Sequence, residues 1–466
     1  MKKIIFAFIC FFLAYSAKAQ LIEDALRLND RNGLITARAG SLGISYIGIA
    51  NDGAAIFNLA AGLALIPQSE VSVGFGGNFT DIRAKYLDGD YSNSISNQYL
   101  SHFTLVGSIE SNWQQTNPSA FGVGYMLEND FDVDGIFQAF NPSNSFINHS
   151  ASRRQAWTRQ LELADKDFRT PYTRNLFQDG FSSERGGLHN VTAAYATYLG
   201  EHFILGFSMS GKFGTYSNLF ELFESDTANV YNLENEADLD YMFAKQQYEQ
   251  DIAGFTASVS FIGKITEDMR LTGFVNLPTW YAVSETFSEG YIAQYDVNSI
   301  GIADRFETNP NQNIGTSQYT VRTPFAFGMG FSWYILGLTM SGAFEVSDAS
   351  NFQFQDAPDN VMDLNRTFVR DMRVQKKVGL GAEYKLPFLP IIARGSYQHQ
   401  TSPSRIDDFS IDTWALGIGM FFGESVRFDG TLRYAYFHNN FNVYGNQNAL
   451  FRIAPLSASF GITYRY

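Results

Sequence analysis

The closing stretch of the chain, residues 453–466, reads IAPLSASFGITYRY. Ala454, Leu456, Ala458, Phe460, Ile462, Tyr464 and Tyr466 alternate with Pro455, Ser457, Ser459, Gly461, Thr463 and Arg465. Successive side chains of an extended strand point to opposite faces, so one face here is wholly apolar and the other small, polar or charged. The segment before it repeats the pattern, setting Val426, Phe428, Leu432, Tyr434 and Tyr436 against Arg427, Asp429, Thr431 and Arg433. An apolar face backed by a charged one is the lipid-out, lumen-in signature of a strand in a transmembrane barrel.

Working outward from this stretch, fourteen segments carry the same alternation: 70–79, 101–109, 119–127, 188–199, 202–214, 252–264, 268–286, 318–334, 335–347, 373–386, 389–400, 411–422, 425–437 and 453–466. The connections near residues 200, 266, 335, 388 and 424 are tight, whereas 80–100, 128–187, 215–251, 287–317, 348–372, 401–410 and 438–452 are longer. Short turns on the periplasmic side and long loops outside are the habit of outer-membrane barrels, and an even strand count leaves both termini in the periplasm. The predicted fold class is all-β: a 14-stranded antiparallel transmembrane β-barrel over 68–466, with an N-terminal plug of small residues.

Composition agrees. The 43 Phe, 25 Tyr and 40 Gly exceed what a soluble domain usually carries, and a net charge of −14 argues against nucleic acid as a partner. Residues 1–19 read as a cleaved secretory signal, with Lys2 and Lys3 ahead of the apolar run Ile4–Tyr15 and Ala17-Lys18-Ala19 as the small-x-small cleavage site. Cys10, the single cysteine, lies inside that run, so the mature chain holds no internal disulfide. Beyond the signal no stretch reaches the roughly 18 apolar residues of a spanning helix.

Residues 33–67 differ from everything after them. Ala37, Ala39, Gly40, Ser41, Gly43, Ser45, Gly48, Ala50, Gly53, Ala54, Ala55, Ala60, Ala61 and Gly62 crowd this segment, with apolar residues between them at neither a strand nor a helix period. Such a segment suits a confined space, and 20–67 is expected to plug the barrel. Many strand glycines, among them Gly74, Gly206, Gly330, Gly379, Gly381 and Gly417, fall opposite the large apolar side chains. They either leave lumen volume for the plug or relieve twist in the wall.

The run from Asn51 to Ala64, NDGAAIFNLAAGLA, resembles the N-terminal signature of the FadL/TodX family of outer-membrane transport proteins. Asp52, Ile56, Phe57, Ala61, Gly62 and Leu63 are kept, while Leu59-Ala60 stands where the family has Asn-Pro. The resemblance implies a hatch of short helices inside the barrel. It also implies a lateral opening at a kink in the third strand, here 119–127, where Gly122 and Gly124 tolerate the needed dihedrals. It further implies a hydrophobic capture groove from the two extracellular loops at 215–251 and 287–317. Leu219, Phe220, Leu222 and Phe223, with a helix-like segment holding Leu239, Tyr241, Met242 and Phe243, are the expected groove residues. Arg38, beside the hatch, can receive a ligand carboxylate or pair with Asp52 or a lumen Asp.

Other motifs carry less. Asp130-Phe131-Asp132-Val133-Asp134-Gly135 opens like a calcium-binding loop, with Asn141 at the twelfth position where the bidentate Glu belongs. Either a calcium-ordered loop or a solvated acidic turn fits it. Residues 151–168 mix charges around Trp157, Leu161 and Leu163 and suggest a helix. Gly417-Ile418-Gly419 and Gly328-Met329-Gly330 lack the strand-to-helix setting of a nucleotide-binding loop. The six histidines are scattered, and His149 beside Ser150 is the nearest approach to a base and nucleophile. No covalent chemistry is expected, so the chain is read as a non-enzyme. Two functions fit: passive outer-membrane transport of hydrophobic small molecules such as long-chain fatty acids or aromatic hydrocarbons, in exchange with outer-membrane lipid, or a FadL-like barrel serving as partner in protein secretion or surface assembly.

Overall fold

The computed structural model describes residues 22–29, 36–109, 118–232, 238–297, 303–309, 314–406 and 410–466; the signal-peptide reading of 1–19 lies outside the described residues. The strands are β1 (Glu70–Tyr86), β2 (Gly89–Ile109), β3 (Ser119–Asp130), β4 (Val133–Asn141), β5 (Leu176–Tyr198), β6 (Phe203–Ser225) and β7 (Leu239–Lys264). They continue as β8 (Met269–Asn276), β9 (Trp280–Val297), β10 (Ala303–Glu307), β11 (Ile314–Arg322), β12 (Ala326–Ile335), β13 (Leu338–Asp348) and β14 (Gln353–Gln355). The last are β15 (Val374–Lys385), β16 (Ile391–Gln400), β17 (Ile411–Phe422), β18 (Val426–Tyr444) and β19 (Gln447–Arg465). Each pairs antiparallel with its neighbours, and β1 closes the ring on β19, with Glu70 opposite Arg465. Four staves of the wall are each broken into two strands (β3/β4, β8/β9, β11/β12, β13/β14) and β10 is a short flap on β9, so the closed barrel has 14 staves.

The alternation read from the sequence is the wall's inside-out pattern. Phe207, Met209 and Phe213 on β6, Phe327, Met329, Phe331 and Trp333 on β12, and Leu456, Phe460 and Tyr464 on β19 are exposed, while Ser208, Ser210, Ser332, Ser457, Ser459 and Thr463 between them are buried. Apolar side chains laid bare in a belt around a closed wall call for lipid, not water. Among the described residues no helix is long and apolar enough to cross a membrane.

All fourteen expected staves are present, yet many are far longer than the sequence suggested. β6 has 23 residues and β7 has 26. A tilted spanning strand needs only about 9–11. The apolar belt of β6 ends at Phe213, and the part from Gly214 to Ser225 stands beyond the membrane on the side of the long connections. The segments expected as loops at 80–100, 215–251, 287–317 and 438–452 are therefore largely strand. Their contrast between faces fades once lipid no longer covers the outer one, as in Ser92-Asn93-Ser94-Ile95-Ser96-Asn97-Gln98 of β2. The expected helix at Leu239–Phe243 is likewise the start of β7, and 151–168 holds only short helices. Two staves are interrupted at 277–279 and 323–325, where Pro278 and Pro324 cannot donate to the ladder.

Candidate transport path: hatch, lumen and lid

Short helices α1 (Ile22–Asn29), α2 (Ala37–Leu42), α3 (Tyr46–Ile49) and α4 (Ala55–Asn58), with a 3-10 turn over Ala60–Leu65, fill the barrel. Small residues on both sides set how closely they approach the wall. A Cβ on Gly206 would lie 2.1 Å from Ala61 N, one on Gly417 2.4 Å from Ser41 Cβ, and one on Gly48 2.5 Å from the Phe331 carbonyl oxygen. The lumen glycines therefore admit the plug's own backbone, which favours the first of the two readings they allowed. Ala61 N–H donates to Ser260 Oγ at 2.9 Å, and Ile44 N–H to Gln398 Oε1 at 3.0 Å. Ile56, Ala61 and Leu63 are fully buried, Phe57 is half-buried, and Gly62 packs under the Ala50 carbonyl.

At the periplasmic end a closed ring of alternating charge ties plug to wall. Arg38 pairs with Glu383 (2.9 Å) and Asp52 (3.0 Å); Glu383 pairs with Arg394 (2.7 Å); Arg394 with Asp429 (2.7 Å); Asp429 with Arg427 (2.6 Å); and Arg427 returns to Asp52 (3.2 Å). Tyr46 donates its hydroxyl hydrogen to Asp52 Oδ1 at 2.6 Å, and Glu70 accepts from Gly53 N–H at 2.6 Å and from Arg465 at 3.1 Å. Arg38 is thus engaged with Asp52 and Glu383 and is not open to a ligand carboxylate in this state. Burying six charges is costly, and each is tolerable because both of its neighbours in the ring are opposite in sign. Glu383, Arg394 and the Arg427–Asp429 pair were not picked out as hatch partners from the sequence. Their signal was a charge in the lumen register of a strand whose other face is apolar.

Above the hatch lies a cavity of about 120 Å³ between Ile44, Ile47 and Phe57 of the plug and Met126, Ser210, Asn276 and Gln398 of the wall. Its lining also includes Lys377, Arg433 and the buried ion pair Lys212–Glu128, 2.6 Å apart. The lumen is therefore polar at this level.

The third stave does not kink at Gly122 and Gly124. Both pair in unbroken register with β2 and β5, and they sit against Ile56, Leu63 and Phe57 of the hatch, which is why they are glycines. The irregularity falls higher: pairing with β2 ends at Met126, the register to β5 shifts between Leu127 and Asn129, and the stave breaks before β4. Helix α1 lies against this break. Asn129 Nδ2 reaches the Arg27 carbonyl at 3.4 Å, and Phe131 packs edge-on at 5.6 Å to Tyr216, whose ring carries the Arg27 guanidinium at 3.5 Å.

The supposed calcium loop forms this same break, and its carboxylates have other work. Asp130 accepts from Asn78 (2.7 Å) and from Asn97, Asp132 from Gly186 N–H (3.0 Å), and Asp134 pairs with Arg185 (2.6 Å). Among the described residues no group of three or more His, Cys, Asp or Glu is arranged to hold a metal ion.

At the extracellular end the expected groove residues lie on paired strands, not on loops. Phe220, Leu222 and Met242 are buried, Leu219 and Phe243 are half-buried, and Phe223 stacks on Tyr241 at 4.7 Å. Leu219, Phe223, Tyr241 and Phe243 lie on one face, whereas Phe220, Leu222 and Met242 on the opposite face point inward and are covered by the segment 142–175 between β4 and β5. It carries α5 (Phe146–Ser152) and α6 (Trp157–Gln160) and lays Phe146, Ile147, Trp157, Leu161 and Leu163 over an apolar floor that runs from Tyr86 and Phe451 to Met242 and Tyr291. Trp157 stacks on Tyr291 at 4.1 Å and 6°, and Tyr295 donates its hydroxyl hydrogen to the Leu161 carbonyl at 2.8 Å. This segment is a lid across the mouth.

A lipid-belted barrel plugged from within and lidded from above defines a class, the hatch-filled β-barrel. No family model and no curated protein sequence matches the chain. Solved structures do. A Pseudomonas aeruginosa FadL homologue superposes with TM-score 0.59 at 10% identity, over 92% of this chain and 98% of that one. The P. putida toluene transporter TodX gives 0.56 at 12% identity, over 94% and 99%. The Ralstonia pickettii toluene transporter TbuX gives 0.51 at 13% identity, over 94% and 100%. The chain has the FadL/TodX fold.

Proposed function

We propose that this barrel lies in the outer membrane of a diderm bacterium and passes small hydrophobic molecules inward without energy input. The observation that carries the reading is the full-length likeness to a FadL homologue and to toluene transporters, with a helical hatch in the lumen. An apolar floor under the lid offers a docking surface, and the break in the third stave beside α1 offers a way to the bilayer. The polar chamber above the hatch, with Lys377 and Arg433 on its wall alongside Glu345, suits the polar head of an amphiphile better than a bare hydrocarbon. Nothing in this route calls for a bond to be made or broken, so the protein acts as a channel and needs no cofactor.

Native mass spectrometry with lipid extraction, on the full chain purified from its own membrane in mild detergent, tests the reading. Co-purifying small amphiphiles, lost in Lys377→Met or Arg433→Met, support it. A second reading, a surface barrel that partners secreted proteins, is favoured by the apolar seal of the mouth. Stoichiometric protein partners with no small ligand select that reading and overturn the first.

A further inference from the structure

Besides the Trp157–Tyr291 stack and the Tyr295–Leu161 hydrogen bond, one buried acid ties the lid to the barrel. Glu224 stands near the top of β6, eleven residues beyond the last lipid-facing residue, Phe213, and is fully buried. Its two carboxyl oxygens accept the Phe146 N–H (2.7 Å) and the Ile147 N–H (3.1 Å), the first two amides of α5. Gln178 on β5 also donates to it, and Gln178 is itself held by Tyr86 (2.6 Å) and Tyr444 (2.7 Å). Asn141 at the end of β4 completes the network by donating to Gln178 Oε1 and Tyr444 Oη, both at 3.1 Å. Phe146, Ile147, Trp157, Tyr444 and Leu222 close the site off from water. The titratable groups facing it are the phenols of Tyr86 and Tyr444 and, beyond Tyr444, the His149 imidazole on α5 at 5.6 Å ring to ring. Among the described residues no Lys or Arg forms an ion pair with Glu224.

We propose that Glu224 is a proton-operated latch: the lid closes over the protonated acid and lifts when the acid ionises, because only an open lid lets water reach the carboxylate. The geometry poses the problem plainly. An ionised carboxylate here keeps three donors but has no counter-ion among the described residues and is shut off from bulk solvent, and burial of that kind disfavours the charged form. Burial accordingly pushes the Glu224 carboxyl from its ordinary 4.5 up to about 7, against the pull of its three donors. In the open state the carboxyl is hydrated and returns to its ordinary range.

The sign follows from linkage. The closed state holds the proton more tightly, so closure is fully favoured below the ordinary carboxylate value and weakens as pH rises through about 7. Above that it stays at its weakest. Lifting the lid uncovers Tyr291, Leu222 and Met242. The latch therefore controls when the apolar floor meets the outside, whatever molecule the barrel carries.

Hydrogen exchange followed by mass spectrometry, on the full chain in detergent between pH 5 and pH 8.5 and corrected for intrinsic amide rates, tests it. Protection of the peptide holding Phe146 and Ile147 should fall by about two orders of magnitude across that window, while hatch peptides within 37–65 hold theirs. Glu224→Gln keeps an acceptor but cannot ionise, and its lid should stay protected at every pH; His149→Gln should leave the wild-type profile in place. A flat wild-type profile overturns the proposal, and so does a Glu224→Gln profile that still falls. The wild-type curve decides by itself should Glu224→Gln fail to fold.

Discussion

Asp52→Asn tests whether the charge ring holds the hatch. Asp52 accepts from Tyr46, Arg38 and Arg427 and from the backbone N–H of Ala54 at 3.1 Å, and it is nearly without solvent contact. Asn preserves the shape and one acceptor but leaves Arg38 and Arg427 each short of one anion. Removing one partner of a buried ion pair costs about 3–5 kcal/mol. Arg38 keeps Glu383 and Arg427 keeps Asp429, so the low end applies, about 3 kcal/mol, or two orders of magnitude in the equilibrium for hatch release. Hydrogen exchange of the full chain in detergent reads this directly. Peptides within 37–65 should lose about a hundredfold in protection while β16–β18 peptides keep theirs. Adding Arg427→Gln removes the cation left short and should restore part of the loss, since Asp429 retains Arg394 at 2.7 Å. Hatch protection unchanged in Asp52→Asn would refute the reasoning, for the ring would then be a bystander to anchoring.

Two further outcomes are expected. Gly206→Val drives a side chain into the backbone at Ala60-Ala61 and should displace the hatch, seen as ion conductance in planar bilayers; Gly211→Val, on the outer face with nothing within 4 Å, should be silent. Trp157→Ala removes the ring stacked on Tyr291 and should loosen the lid by about 3 kcal/mol. Since Cys10 is the chain's single cysteine, maleimide labelling of a Leu222→Cys variant reports on the floor, and it should quicken by tenfold or more when Trp157→Ala is added.

The wall was legible because lipid enforces it. Each spanning strand must present an unbroken apolar face, so Phe327-Gly328-Met329-Gly330-Phe331-Ser332-Trp333 declares its two sides without any knowledge of its neighbours. The plug is legible for the opposite reason, since small residues are needed wherever its backbone meets the wall, and Gly206 against Ala61 shows how little room there is. Outside the membrane that enforcement lapses. Leu219–Phe223 and Leu239–Phe243 read as apolar loop because a single stretch does not show its strand partner; paired as β6 and β7, they turn Phe220, Leu222, Leu239 and Met242 to the lid and leave Leu219, Phe223, Tyr241 and Phe243 half-buried on the opposite face. The resemblance implies a kink in the third strand, and glycine's tolerance of unusual dihedrals points to Gly122 and Gly124. The same lack of a side chain was being used to seat Ile56 and Phe57, and the wall breaks instead where Asp130 turns to Asn78 and Asn97. Glu224 gave no signal at all, because a buried acid in an extended strand looks like any solvated one until the lid is in place.

The most direct test of the central claim is uptake. Cells that display the full chain in their outer membrane, in a host stripped of its own hydrophobic-compound transporters, are given radiolabelled oleate or toluene. The lock is a Ser45→Cys, Gly381→Cys pair, whose Cβ atoms would stand 3.3 Å apart, near the separation a disulfide spans. The account predicts saturable uptake of at least one compound, arrested when the disulfide forms and restored by reductant. Uptake no faster than in cells without the barrel, or uptake indifferent to the lock, contradicts it.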